Sequence, residues 1–231
     1  YTDAYELGLR SISLGGALVV NASAFYQQLN DYQTSLYREF TDPADCGTAT
    51  PPCFLSVSGN LPQVTIRGIE LDASYRIGGF NFRASAALND IYYSKDVLLA
   101  VNEENNVPGM PIGQRIFQAK GERLANTAKY SWNVAADYRR PVAGDYDFHV
   151  DANYNWRSRY NSSAQRSVYG IYPSSGVLDL GVGIGAADRS WDASVLVKNV
   201  LDSERRIANP LATSYVPATP RWVGVQISGR L

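Results

Sequence analysis

His149 lies between Asp147 and Asp151 in the stretch DFHVD. Alternate residues of an extended strand share a face, so one imidazole and two carboxylates converge there. Such a set could ligate a metal. A single imidazole among solvated carboxylates is more simply a polar wall, and that reading is preferred. A second charged set, Glu70, Asp72, Arg76 and Arg83, suits ion pairing on one face of a hairpin. Neither set brings a nucleophile. No G-x-S-x-G occurs and no credible Ser/His/Asp arrangement emerges, so the chain is not expected to be an enzyme. LGVGIGAAD places Gly181, Gly183 and Gly185 near a G-x-G-x-x-A pattern. A dinucleotide fingerprint needs a strand, a turn and a helix, whereas these glycines repeat at strand spacing. They read as a bare strip that lets neighbouring groups approach closely.

Cys46 and Cys53 lie in FTDPADCGTATPPCFLS. A disulfide closing a short loop in an oxidising compartment is the preferred reading. A metal pair is the alternative, but no His or further Cys is near. Arg and Tyr recur in the long connections: Arg115, Phe117, Lys120 and Arg123, then Tyr160, Arg166, Tyr169, Tyr172, Arg205, Arg206 and Tyr215. These types suit anionic or aromatic small-molecule ligands through charge-assisted hydrogen bonds and stacking. Taken one residue at a time, the plainer reading is a solvated loop surface. No cofactor site is expected from any of these groups.

One pattern sets the strands that carry these residues. Over 231 residues with a formal net charge of −1, nothing points to a nucleic-acid partner. No apolar run approaches the roughly 18 residues that a membrane-spanning helix needs, although strands that cross a membrane hide from such a scan. The chain starts at Tyr1 without Met or signal peptide, and is read as a piece of a longer or processed chain. Polarity alternates residue by residue. Tyr146, Phe148, Val150, Ala152, Tyr154 and Trp156 oppose Asp147, His149, Asp151, Asn153, Asn155 and Arg157. The same period recurs from Tyr5 to Arg10, Ala17 to Gln28, Tyr130 to Arg139, Leu178 to Ala186, Trp191 to Val197 and Val223 to Leu231. With the hairpin at Gly78-Gly79, this predicts about nine strands.

That hairpin fixes its own register. A two-residue Gly-Gly loop tolerates positive φ at both positions and fits a tight primed turn. Ile77 then faces Phe80, Tyr75 faces Phe82, Ala73 faces Ala84, Leu71 faces Ala86 and Ile69 faces Leu88. The other face pairs Arg76 with Asn81, Ser74 with Arg83, Asp72 with Ser85 and Glu70 with Ala87. A slip of one residue would mix the two sets.

Short connections near Leu14-Gly16, Gly78-Gly79, Pro141-Asp145 and Ala187-Ser190 alternate with long ones near Tyr37-Ser56, Asp96-Ala125, Asn161-Ser175 and Ser203-Thr219. In an up-and-down meander all short turns fall at one end and all long loops at the other, as in an outer-membrane barrel. Strands of ten or more residues, with Ala in mid-face and Tyr, Trp and Phe near the ends, agree with lipid outside. A soluble sandwich alternates too, but with shorter strands and without the loop asymmetry. The expected fold is therefore all-β, an antiparallel up-and-down transmembrane barrel. Glu70, Asp72, Arg76, Arg83, His149 and Asp151 then line its interior. An odd strand count suggests part of a larger barrel.

Several segments carry a family resemblance: NASAFYQQLNDYQTSL; VTIRGIELDASYRI with Gly68, Glu70 and Leu71; GERLANTAKYSWNVAADYRRPV, where a loop ends and the chain re-enters the membrane; VLVKNVLDSERR with Asn199, Val200, Leu201 and Asp202; and the final PRWVGVQISGRL. In order and spacing they resemble the C-terminal barrel portion of TonB-dependent outer-membrane receptors. Two departures occur: Ala128 stands where the family has Pro before Lys129, and the chain ends in Leu231 where the family ends in Phe. The resemblance implies about nine C-terminal strands, roughly 14 to 22, of a 22-strand barrel around an N-terminal plug lying upstream of Tyr1. It also implies the outer membrane of a Gram-negative bacterium, contact with lipid, coupling through the plug to a TonB–ExbB–ExbD complex, and import of a scarce solute, by default a ferric siderophore. A passive or gated channel, or a surface-binding barrel without energy coupling, is the alternative. A hydrolase barrel would need the nucleophile that is missing.

Overall fold

A computed structural model describes residues 1–48, 50–51, 53–96, 98–99, 117–118, 120–163, 170–204, 206–207, 216–217 and 219–229. Its centre is one sheet of nine antiparallel strands in which each pairs with the next along the chain. The strands are β1 (Thr2–Ser13), β2 (Leu18–Phe40), β3 (Cys53–Ile77), β4 (Phe80–Tyr93), β5 (Tyr130–Ala143), β6 (Tyr146–Arg157), β7 (Ser175–Ala186), β8 (Trp191–Lys198) and β9 (Trp222–Gly229). The expected meander is therefore present, with β1 and β9 at the two edges. Short turns gather at one end and the long connections at the other.

The Gly78-Gly79 hairpin has the expected register, with Ile77 opposite Phe80 and Ile69 opposite Leu88. Its turn differs in one respect: only Gly78 takes a positive φ, at 55°, as in a primed turn with one left-handed position. Gly79 is needed for space instead, because a Cβ there would lie 2.5 Å from the Arg139 carbonyl oxygen of β5. The turn expected over Pro141–Asp145 is tighter than the sequence suggests. β5 runs on to Ala143 through an irregularity between Pro141 and Ala143, where proline has no N–H for the ladder. At the turn after β7, Ser190 donates its N–H to Asp188 Oδ1 at 2.9 Å. Hydrogen bonds from the Ser190 side chain and backbone hold the Asp188 carboxyl below its ordinary range.

Two expectations are corrected at the other end. The connection expected as a loop over Tyr37–Ser56 begins and ends as ladder, with Tyr37 opposite Ser56 and Phe40 opposite Cys53, and only the stretch between them is free of it. The alternation fades beyond Asn30 and Gln63, where β4 no longer flanks the pair and a two-stranded ribbon need not bury either face, so no pattern is imposed. Pairing pauses once, at Asp31 (φ 55°), beside Pro62. The tip carries a one-turn helix, Pro43–Cys46, and the Cys46–Cys53 disulfide, the pairing preferred from sequence. The second correction concerns length. β8 and β9 have eight residues each, not ten or more. Asn199 ends β8 by turning left-handed, with φ 50°.

Successive strands place apolar residues in unbroken rows. Tyr138 faces Val150, Val150 faces Val182, Val182 faces Val195 and Val195 faces Val225. These side chains do not form a core. Leu7 is 78% exposed and Ile227 77%. A contiguous apolar face of this extent marks a surface that meets a membrane or another protein. Among the described residues no helix is long and apolar enough to cross a membrane, which says nothing of strands. The compact apolar cluster lies near the long-loop end, where Val64 and Tyr93 are buried with Leu29, Tyr32, Ile66, Ile91 and Leu124 around them.

Candidate functional site: the polar wall and its loop roots

The face opposite those apolar rows is polar and concave. A hollow of about 450 Å³ is lined by Glu70, Asp72, Ser85, Asn133, Asn155 and Arg157 among others. A second, of about 320 Å³, lies against Arg10, Asn21, Ser23, Glu70 and Asp72. A third, of about 290 Å³, adds Ser74 and Arg83. In each, the residues named follow the polar parity of their strands. The sheet therefore curves toward its polar side.

The strongest polar cluster on this wall centres on Asp192. His149 Nε2 lies 2.8 Å from Asp192 Oδ2; a carboxylate only accepts, so the ring nitrogen donates. Ser194 Oγ donates to Asp192 Oδ1 at 2.6 Å. Arg139 spans Asp192 and Asp147 at 3.6 Å each. Ser, His and Asp thus meet, but the carboxylate is in the middle. A nucleophilic triad needs the imidazole between the other two so that it can take the serine proton. This cluster braces strands and activates no nucleophile. It also explains the glycine strip: a Cβ at Gly183 would lie 2.5 Å from His149 Nε2 and 2.6 Å from Ser194 Oγ, and one at Gly185 2.7 Å from Asp192 Oδ2. The Asp151 carboxylate lies over Gly181 in the same way. Side chains of β6 and β8 meet across β7 because β7 has none there.

The second charged set is arranged differently from the expectation. Arg83 pairs with Asp137 of β5 at 2.9 Å, and Asn81 Nδ2 donates to the same oxygen at 3.0 Å. Glu70, Asp72 and Arg76 make no ion pair among the described residues, so the four do not pair with one another. Glu70 and Asp72 line the hollows instead. Asp137 stands directly opposite Asp151, a like-charge pair that Arg83 offsets from one side. Asp137, Asp192 and Ser194 were not singled out from sequence as site residues. Cross-strand register, available for one hairpin only, is the signal that could have found them.

The loop roots are held by their own bonds. The segment after residue 119 runs back along β4: Gly121 N–H donates to Tyr93 O at 2.8 Å, Tyr93 N–H to Glu122 O at 2.9 Å and Leu124 N–H to Ile91 O at 3.1 Å. Arg123 Nη2 donates to Asn89 O at 2.8 Å. Tyr160 and Tyr172 are brought together, stacked 5.1 Å apart and buried, with the Arg157 guanidinium 4.9 Å over the Tyr160 ring. Phe117 pairs through its backbone with Leu99, Arg206 with Pro217, and Lys120 is exposed in a turn. Arg115, Arg166, Tyr169, Arg205 and Tyr215 lie outside the described residues.

The motif at 199–202 forms a clip. Asn199 and Asp202 both take positive φ, at 50° and 51°, a conformation that Asn and Asp tolerate best among side-chain-bearing residues. Asn199 Nδ2 donates to Ser203 O at 3.1 Å and Thr219 O at 3.3 Å, while its Oδ1 accepts from Ser203 N at 2.9 Å. Asp202 Oδ1 accepts from Arg221 N at 3.0 Å. Asp179 of β7 accepts from Asn199 N at 2.9 Å and pairs with Lys198 at 3.1 Å. The two ends of the last long connection are thereby pinned beside β7.

Comparison with known proteins agrees with this architecture. No curated protein matches the chain. The sheet is similar to the siderophore receptor PiuA from Acinetobacter baumannii, with TM-score 0.69 and 14% identity, over 98% of this chain and 28% of that one. It is similar to the ferric yersiniabactin uptake receptor FyuA from Yersinia pestis, with TM-score 0.65 and 16% identity, over 97% and 29%. It is also similar to the FrpB iron transporter from Neisseria meningitidis, with TM-score 0.61 and 16% identity, over 98% and 30%. The chain thus spans under a third of the length of these solved proteins. A model of the family described as TonB dependent receptor-like, beta-barrel, matches residues 1–200. With its meander, its loop asymmetry and its polar concave wall, the chain belongs to the TonB-dependent receptor-like β-barrel family.

Proposed function

We propose that this chain is the C-terminal portion of the barrel of a Gram-negative outer-membrane importer, with a plug domain upstream and energy from TonB–ExbB–ExbD acting through that plug. The observation that carries the proposal is the inverted sheet: apolar rows on the convex side, an ion-paired wall on the concave side, and all long connections at one end. A wall of that kind suits a lumen filled by another protein segment and by water. Glu70, Asp72 and Arg76, without an ion pair among the described residues, face that filling. Substrate capture falls to the long connections, with Arg115, Phe117, Arg123, Tyr160, Tyr169, Tyr172, Arg205 and Tyr215 as the contact set. Within that set, the buried Tyr160–Tyr172 stack and the backbone-bonded Arg123 favour a role in shaping the loop roots. A ferric siderophore is the default cargo, because the similar solved proteins named above are siderophore or iron receptors and transporters.

Uptake of a labelled ferric siderophore by cells expressing the intact receptor tests this. Accumulation should require both the receptor and TonB. Accumulation that persists without TonB or the proton gradient would favour the passive or gated channel. Binding without accumulation in energised cells would favour a surface-binding barrel.

A further inference from the structure

β2 and β3 run well past their neighbours. Their ladder continues to Phe40 opposite Cys53, whereas β1 flanks β2 only as far as Asn30 and β4 flanks β3 only as far as Gln63. Residues 31–40 and 53–62 therefore stand as a two-stranded ribbon roughly 30 Å long. Such a ribbon is marginally stable in water by itself. The Cys46–Cys53 disulfide clamps only its tip. The small hairpin of Leu98–Leu99 and Phe117–Gln118 comes near β2 but pairs only with itself among the described residues. The two edges of the ribbon differ at their roots. On the β3 side, Ser94 N–H reaches Gln63 O at 3.1 Å, and the chain then bends at Lys95. On the β2 side the ladder ends without a bend: Asn30 N–H donates to Tyr1 O at 2.9 Å, and Tyr1 N donates to Asn30 O at 3.5 Å.

In antiparallel pairing, alternate residues turn N–H and C=O to the same neighbour. Residues 32, 34, 36 and 38 thus offer theirs to the edge that β1 leaves open, as Asn30 does to Tyr1. No proline or glycine interrupts residues 32–40, so every donor is present. The pause at Asp31 does not alter that edge. Asn30 opposite Gln63 and Tyr32 opposite Leu61 share one register, and the N–H missing between them is that of Pro62, on the β3 side. We infer that the residues just ahead of Tyr1 continue β1 along this edge as a third strand, so that the ribbon is a fixed three-stranded wall on one flank of the long-loop end. β1 runs antiparallel to β2, so its preceding residues lie beside the later residues of β2. The register follows: the second residue before Tyr1 falls opposite Tyr32 and the third opposite Gln33. An open strand edge is a template for any extended chain, and a segment tethered at Tyr1 has the advantage of effective concentration over a separate protein. The inference goes beyond the importer reading and takes from it only that chain precedes Tyr1.

Amide hydrogen exchange and cysteine cross-linking on the intact receptor test it. An open edge leaves every second amide of residues 32–40 free, so about half of them should exchange at once. A third strand removes that fast half, and slow exchange throughout 32–40 is the expected result in wild type. Cysteine at the third residue before Tyr1 should form a disulfide with Gln33→Cys and not with Ser58→Cys on the neighbouring strand. The fifth residue before Tyr1 with Ser35→Cys is a second pair in the same register. The exchange measurement uses wild type and stands if a cysteine variant fails to assemble. Fast exchange of half these amides, with neither link formed, overturns the inference whether or not labelled siderophore still accumulates. Slow exchange with neither link formed in assembled variants overturns it too, and marks another occupant of the edge. Links formed in a receptor without TonB-dependent accumulation would uphold the inference and sink the importer reading alone.

Discussion

At the residue scale, two positions show why side-chain type matters more than charge count. Gly183 is required by its neighbours: His149 and Ser194 occupy the space a Cβ would take. Overpacking of this kind costs about 1–3 kcal/mol. Gly183→Val should therefore lower the urea midpoint of the assembled receptor, measured by tryptophan fluorescence, whereas Gly176→Ala would probe only the flexible end of Tyr154 on the apolar face. Asn199 is required by both its backbone and its carboxamide. Asn199→Ala removes three hydrogen bonds from a buried carboxamide to the main chain of Ser203 and Thr219. The expected loss is about 1–3 kcal/mol, seen as a lower urea midpoint and faster proteolysis between residues 203 and 219. An unchanged midpoint and cleavage rate would show that the clip does not hold that connection.

At the element scale, adjacent residues of one strand should respond oppositely to the same substitution. Val150 lies in an apolar row on the convex face, and Asp151 faces Asp137 on the polar wall. Val150→Arg should cost about 2–4 kcal/mol near mid-bilayer and reduce the heat-modifiable, folded form on cold gels. Asp151→Arg should assemble as well as wild type, since it places a cation beside Asp137 and in water. The strands themselves were legible because each buried or lipid-facing row forces strict alternation; the nine-strand count and the Gly78-Gly79 register both follow from it. The ribbon of β2 and β3 beyond Asn30 was not legible, because a two-stranded ribbon need not bury either face and so imposes no alternation. The short β8 and β9 were not either, because the end of β8 is set by the left-handed Asn199 rather than by hydropathy. Of the polar wall, His149 could be read as a site residue, but Asp192 and Ser194 could not. Their convergence depends on the bare strip of β7 between them, a contact two strands apart that no local pattern encodes.

At the scale of the whole molecule, the sheet is inverted relative to a soluble domain: on the short-turn side of the Ile69–Leu88 row its apolar residues are outermost and its ion pairs are within the curve. Exposed ion pairs of this kind contribute little each, so the wall's value lies in shape and polarity rather than in summed stability. The central claim is the sidedness of that sheet, and β5 offers a direct test. Ala135 and Ala136 are adjacent and similar in size; Ala135 pairs with Arg83 and Asn153, and Ala136 with Phe82 and Ala152. Cys46 and Cys53 are joined and leave no thiol to label. Spin labels on Ala135→Cys and Ala136→Cys, each in the intact receptor in lipid vesicles, can be compared for collision with oxygen and with a water-soluble nickel chelate. The label at 136 should favour oxygen and be shielded from nickel, and the label at 135 should show the reverse. Two labels equally open to the nickel chelate, or the opposite order, would contradict a wall with lipid outside and a polar lumen within.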